Sequence, residues 1–162
     1  MGYLLIHRAC LNGDALVVAA LIHIGCDPSA KTEAGLTGVH LAAMRGQLVI
    51  LSLLAESGVK LGEFDSQNKL PLHYAAANNQ VIVAAWLLQA TKVDWTTAFD
   101  GAGRTPLHLA SEAGHQEMVR FLLSTLTNLA SFDKPLDPMT RDHLGNTYLH
   151  SALASVPSPI TQ

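Results

Sequence analysis

One phrase recurs five times along this chain: Leu-Leu-Ile-His ending at His7, Thr-Gly-Val-His at His40, Leu-Pro-Leu-His at His73, Thr-Pro-Leu-His at His108 and Thr-Tyr-Leu-His at His150. The histidines are 33, 33, 35 and 42 residues apart. A unit of about 33 residues that repeats in this way cannot bury its apolar face alone, so the chain must stack its units in a line. The expected fold is an open solenoid in which each unit touches only its neighbours and the core is shared between them. Such a shape offers a long surface rather than a closed pocket, and surfaces hold partners.

Units three and four write the plan most fully. In Asp100-Gly101-Ala102-Gly103-Arg104-Thr105-Pro106-Leu107-His108, the Asp and two Gly residues predict a tight turn. A helix follows, with Thr105 as its cap and Pro106 in the first position, where a missing N–H costs nothing. Gly114 ends it, and Gln116 to Leu123 form a second helix with Met118, Val119, Leu122 and Leu123 in an apolar stripe. Unit three repeats this as a turn at Asp65 to Asn68 and helices at Pro71 to Asn78 and Val81 to Gln89. Its Asn79 stands where other units carry Gly13, Gly46 and Gly114, and Asn is the residue other than glycine that best accepts a left-handed backbone. Helices of about 8 to 10 residues are marginal alone in water, so neighbouring units must support one another.

These residues resemble the ankyrin repeat. The likeness is carried by Gly35-Leu36-Thr37-Gly38-Val39-His40-Leu41-Ala42-Ala43 through Gly46, by Pro71-Leu72-His73-Tyr74-Ala75-Ala76, and by Gly103-Arg104-Thr105-Pro106-Leu107-His108-Leu109-Ala110 through Gly114. It spans about residues 2 to 154. The resemblance implies an all-α fold, an ankyrin repeat solenoid of stacked helix-turn-helix units with projecting β-hairpin-like turns, or fingers. It is divided here into a repeat domain at 1–155, with units 1–31, 32–64, 65–99, 100–141 and 142–155, and a tail at 156–162. The resemblance also implies protein binding through fingertips and the exposed face of the first helices, with no catalytic residues to carry over.

Departures from the pattern locate its irregularities. Unit one opens at Gly2-Tyr3-Leu4-Leu5-Ile6-His7 without the Thr or Pro of the motif, as a capping unit or a cut edge would. In unit five, Pro157 and Pro159 end the first helix near Ser155, leaving Leu149, Ala152 and Leu153 to be covered by residues 156–162 or by a partner. Thr91 to Phe99 lengthens one finger by two residues. Between units four and five the second helix runs on through Thr125 to Leu129 before a loop from Phe132 to Pro138. Insertions of this kind gather on one face, often the binding one.

Composition narrows the function. Net charge is −3 and the ten basic residues are scattered singly from Arg8 to Arg141, so the clustered basic footprint that nucleic acid requires is missing. Apolar residues make up 49% of the chain, yet Gly13, Asp14, Gly25 and similar breaks keep every run shorter than a membrane span of about 20 residues. No secretory signal is read at Met1 to Leu5. Cys10 and Cys26 sit at small-residue positions, with no metal-binding spacing, and are expected to be buried free thiols in a reducing compartment, cytosol or nucleus.

The repeating histidines lie in equivalent places one unit apart, which points to bonds across neighbouring units rather than to a shared metal ion. Neither a metal nor a cofactor is expected. His115 is assigned a structural role too, and Ser111, His108 and Asp100 lack the strained elbow and convergent pocket of a catalytic triad. Gly101-Ala102-Gly103 reads as a turn, not a phosphate loop. Trp86 falls in an apolar stripe and is expected to be packed. Trp95, in the lengthened finger, is either packed or bound, since an exposed indole is costly and Trp is frequent among interface hot spots.

The family's variable positions map to Leu11, Asn12, Met44, Arg45, Ala77, Asn78, Glu112 and Ala113 on first helices. On fingers they map to Lys31, Glu33, Ala34 and Leu36, to Phe64, Ser66, Gln67 and Lys69, to Phe99, Ala102 and Arg104, and to His143, Leu144 and Asn146. The candidate partner-binding set is Met44, Arg45, Phe64, Gln67, Lys69, Asn78, Trp95, Phe99, Arg104 and Glu112, rich in the aromatic, Met and Arg residues that interfaces favour. The expected function is a non-enzymatic module that binds a protein or peptide. The alternatives are a targeting domain of a larger enzyme or intracellular bacterial effector, and the cytoplasmic ankyrin domain of a channel or receptor. Further repeats or domains of a longer chain belong to each of these.

Overall fold

The computed structural model describes residues 4–129, 141–147 and 149–150. Among them the chain forms four helix pairs: α1 (Leu5–Asn12) with α2 (Ala15–His23), α3 (Gly38–Arg45) with α4 (Leu48–Glu56), α5 (Pro71–Ala77) with α6 (Val81–Ala90), and α7 (Pro106–Glu112) with α8 (Gln116–Leu129). These boundaries match the expected helices of units three and four to within a residue, and α8 runs on to Leu129 as anticipated.

A sharp reversal joins the helices of each pair. Gly13 and Gly46 take positive φ of 86° and 75° at the ends of α1 and α3. Asn79 takes the same left-handed turn at 57°, as its place in the repeat demands. The first helices stack on one another in order, α1 on α3, α3 on α5 and α5 on α7, while each second helix packs on its own partner. The core is one continuous ribbon: Cys10, Ala43 and Ala76 let the first helices approach closely, and Leu21, Leu54, Leu87 and Leu122 fill the space behind them.

The fingers are tighter than hairpins with true strands. Each closes with two backbone bonds: one from Thr32 N to Leu36 O, Asp65 N to Lys69 O, Asp100 N to Arg104 O and Asp142 N to Asn146 O, all 2.9 to 3.0 Å, and one back to the carbonyl of the same first residue from Gly35, Asn68, Gly103 and Gly145 N. With so few residues no ladder can grow. Among the described residues the β pairing is a single antiparallel bridge between Arg141 and Thr147. Neighbouring fingers are tied by Ser66 N to Ala34 O, Gly101 N to Gln67 O and His143 N to Ala102 O.

Gly2, Tyr3, the loop from Phe132 to Pro138, Ala152, Leu153, the end of the unit-five helix and the tail lie outside the described residues. Leu149 is more than half exposed. Cys10 is a buried free thiol, its pKa raised to about 11 by burial, which makes it a poor nucleophile. Cys26 is free but only half-buried, a departure from the expected pair of buried thiols. No helix among the described residues is long and apolar enough to cross a membrane.

Candidate functional site

The fingers of units three, four and five owe their shape to one acidic side chain each. Asp65 Oδ1 accepts the amides of Gln67 and Lys69 at 2.8 and 2.9 Å, Asp100 Oδ1 those of Ala102 and Arg104 at 2.9 Å, and Asp142 Oδ1 those of Leu144 and Asn146 at 2.9 and 2.8 Å. This satisfies turn amides that would otherwise compete for water, and it fixes which finger residues face outward. Thr32 does the same in the finger of unit two through its Oγ1, 3.1 Å from Leu36 N. The recurrence of Asp at 65, 100 and 142 is visible in the sequence, where Asp65 and Asp100 open the expected turns of units three and four. Burial pushes the Asp100 carboxyl up, but the amides and guanidinium bonded to it outweigh that and hold it below the usual carboxylate range.

Behind the fingers, His40 and His73 each clasp two units together. His40 Nδ1 receives Thr37 N at 3.1 Å while its Nε2 reaches Lys69 O of the next unit at 3.2 Å. His73 Nδ1 receives Leu70 N at 2.9 Å and its Nε2 lies 3.2 and 3.3 Å from Ala98 O and Arg104 O. His7 reaches Ala30 O at 2.8 Å. The proton therefore sits on Nε2, where it meets carbonyls, and burial drives the His73 pKa from 6.5 down to about 4. His115 likewise bonds back to Ala77 O at 2.9 Å. The expected structural role is thus observed, with one exception. His108 Nε2 is buried without a hydrogen-bond partner, as is Ser111 Oγ one turn later on the same helix. No group of three or more His, Cys, Asp or Glu is placed to hold a metal ion among the described residues.

Phe64 and Phe99 occupy equivalent positions, each just before the turn aspartate of its finger, and are 43% and 38% exposed. Arg45, Gln67 and Asn78 are exposed beside them, and Met44 and Lys69 are half-buried. Lys69 Nζ bonds Gln67 Oε1 at 3.0 Å and lies 5.6 Å from the centre of the Tyr74 ring. Tyr74 itself donates to Asp65 Oδ2 at 2.6 Å and meets His40 edge-on. Tyr74 was not among the sequence candidates; the available signal was an aromatic residue where units two and four carry Leu41 and Leu109.

Three candidates are engaged within the chain itself. Trp95 is 5% exposed and is no surface residue. Asp94 Oδ1 accepts the Thr96 amide at 3.1 Å in a tight turn, and the indole is buried in the core, where it lines a small cavity with Leu61, Pro71, Leu72, Leu87 and Val93. Arg104 and Glu112 are committed to each other. The Arg104 guanidinium gives Nε and Nη2 to Asp100 Oδ2 at 3.1 and 3.0 Å and Nη1 to Glu112 Oε2 at 3.0 Å, bracing the finger against α7. Trp86 is half-buried against the core, in line with the packed role expected of it.

The comparisons agree with this geometry. A family model described as ankyrin repeats in three copies matches residues 6–99 and 91–158. A 26S proteasome non-ATPase regulatory subunit 10 from Dictyostelium discoideum is 42% identical over 76 residues, which are 47% of this chain and 32% of that protein. A putative E3 ubiquitin-protein ligase from Arabidopsis thaliana is 34% identical over 131 residues, covering 74% of this chain and 29% of its own. A putative ankyrin repeat protein from Rickettsia bellii is 32% identical over 124 residues, covering 75% and 67%. The chain spans about a third of the length of the first two. Finger turns, histidine clasps, helix pairs and family match together make the chain a member of the ankyrin repeat family.

Proposed function

We propose that this chain is a non-catalytic protein-binding module whose partner, a folded protein or an extended peptide, lies across the fingers and first helices of units two to four. The observation that carries the reading is the pair Phe64 and Phe99. Two phenyl rings exposed at equivalent finger positions, with Met44, Arg45 and Asn78 on the neighbouring helices, form the aromatic and cationic mixture that marks binding hot spots. The net charge of −3 and the scattered basic residues favour a protein over nucleic acid. Ankyrin repeats generally act as interaction modules, which supports holding over turnover. The free thiols Cys10 and Cys26 support an intracellular setting, cytosol or nucleus.

Once a partner is in hand, replacing Phe64 and Phe99 together by Ala should weaken its binding by about 2 kcal/mol or more, roughly thirtyfold, with the helical spectrum unchanged. Calorimetric titration checks this. Unchanged affinity in the double variant removes the finger surface from consideration.

A second reading is favoured by the relatives, among them a putative ubiquitin ligase and a tyrosine-protein kinase, of which this chain spans 29% and 13%. In that reading the repeats select substrates for a catalytic or effector part elsewhere in a longer protein. The same surface serves both.

A further inference from the structure

The backs of the second helices carry a feature that partner binding by the fingers does not use. Leu16, Val49 and Ile82 are each the second residue of a second helix, in α2, α4 and α6, and are 88%, 65% and 74% exposed. They are 33 residues apart, one per unit, so they form a straight ladder rather than scattered apolar spots. In unit four the same position is Glu117. Half-buried Leu53 and Trp86 lie one turn further along α4 and α6, widening the ladder into a band.

The three ladder residues leave on the order of 400 Å² of aliphatic surface in water, within the range of the largest patch on a typical monomer and about half of the roughly 800 Å² that each partner gives to a standard interface. Helices α2 and α6 contain no Asp, Glu, Lys or Arg, and α4 has only Glu56 at its end. That lack of basic residues suits a protein face better than an anionic membrane.

We infer that this band pairs with the same band of a second copy of the chain, making a two-fold dimer that leaves the fingers free. The evenly spaced ladder is matched to its own reverse: a two-fold axis through Val49 lays Val49 on Val49 and Leu16 on Ile82. Glu117 then lies beyond the partner's ladder, clear of Leu16. Slipping the register by one unit would seat that carboxylate on Leu16, burying an unpaired charge, so Glu117 selects the centred pairing.

Sedimentation equilibrium of the 162-residue chain is the test, with samples up to about 200 µM. A dimer is expected, and Val49→Glu and Val49→Lys, both at an exposed position that the core does not use, should each weaken it about a hundredfold or more while the helical spectrum is kept. In a Cys26→Ser background, Val49→Cys should give a covalent homodimer under mild oxidation. A monomer throughout that range overturns the inference, as does a dimer that both Val49 charge variants leave intact or that Val49→Cys fails to cross-link. Phe64 and Phe99 are untouched, so failure here leaves the finger reading standing.

Discussion

Trp95→Ala is expected to destabilise the array by about 3 to 5 kcal/mol, the range for deleting a buried large aromatic side chain. The indole is carried by the lengthened finger into the core, where it lines a small cavity with Leu61, Pro71, Leu72, Leu87 and Val93. Removing it leaves a void that the Asp94 turn holds open, since Thr96 N and Thr96 Oγ1 both bond Asp94 Oδ1 and keep the segment from collapsing. Urea unfolding followed by circular dichroism measures the loss. A change below about 1 kcal/mol would mean that Trp95 is not packed, and would return it to the partner surface. Each helix pair is supported by its neighbours, so the loss is expected to spread beyond unit three and lower the midpoint for the whole stack.

Acid should loosen the same stack at its clasps. His73 is held neutral, with a pKa of about 4 against an ordinary 6.5, because burial disfavours the charged ring by more than the carbonyls of Arg104 and Ala98 and the nearby Asp100 favour it. Between these values the unfolded chain takes up a proton that the folded chain refuses, so stability is full above about pH 6.5, falls as the pH drops towards 4, and levels off below. For His73 alone the gap corresponds to about 3 kcal/mol. His40, also lowered chiefly by burial, acts with the same sign. Protonation would place a proton on Nδ1, the atom that receives Leu70 N in one clasp and Thr37 N in the other. The measurement is urea unfolding at pH 7 and pH 4.5 on the parent chain and on His73→Gln, which should show a clearly shallower acid slope. Equal slopes in the two proteins would refute the assignment.

Where the repeat was regular, the sequence was enough to read the fold. The recurring four-residue phrase names a cap, a first helical residue and, at His40 and His73, a clasp, and the positive φ of Asn79 followed from its alignment with Gly13, Gly46 and Gly114. Reading failed where periodicity gave no reference. Trp95 sits in an insertion with no counterpart in other units, so nothing indicated which way it turned until the Asp94 turn was seen. Arg104 and Glu112 are eight residues apart, on a finger and a helix, and only the angle between those elements brings their charges together. Helices α2, α4 and α6 are apolar on nearly every side, so no clear polar face separated the buried Leu51 and Leu54 from the exposed Val49.

The missing clasp at His108 has a mechanical consequence. His40 and His73 each tether a unit to the next, whereas at the fourth junction His108 Nε2 and the Ser111 hydroxyl are both left without a hydrogen-bond partner. Under a pull applied to its two ends, the array should therefore part first between units four and five, a built-in fuse that yields at low force and spares the rest of the spring.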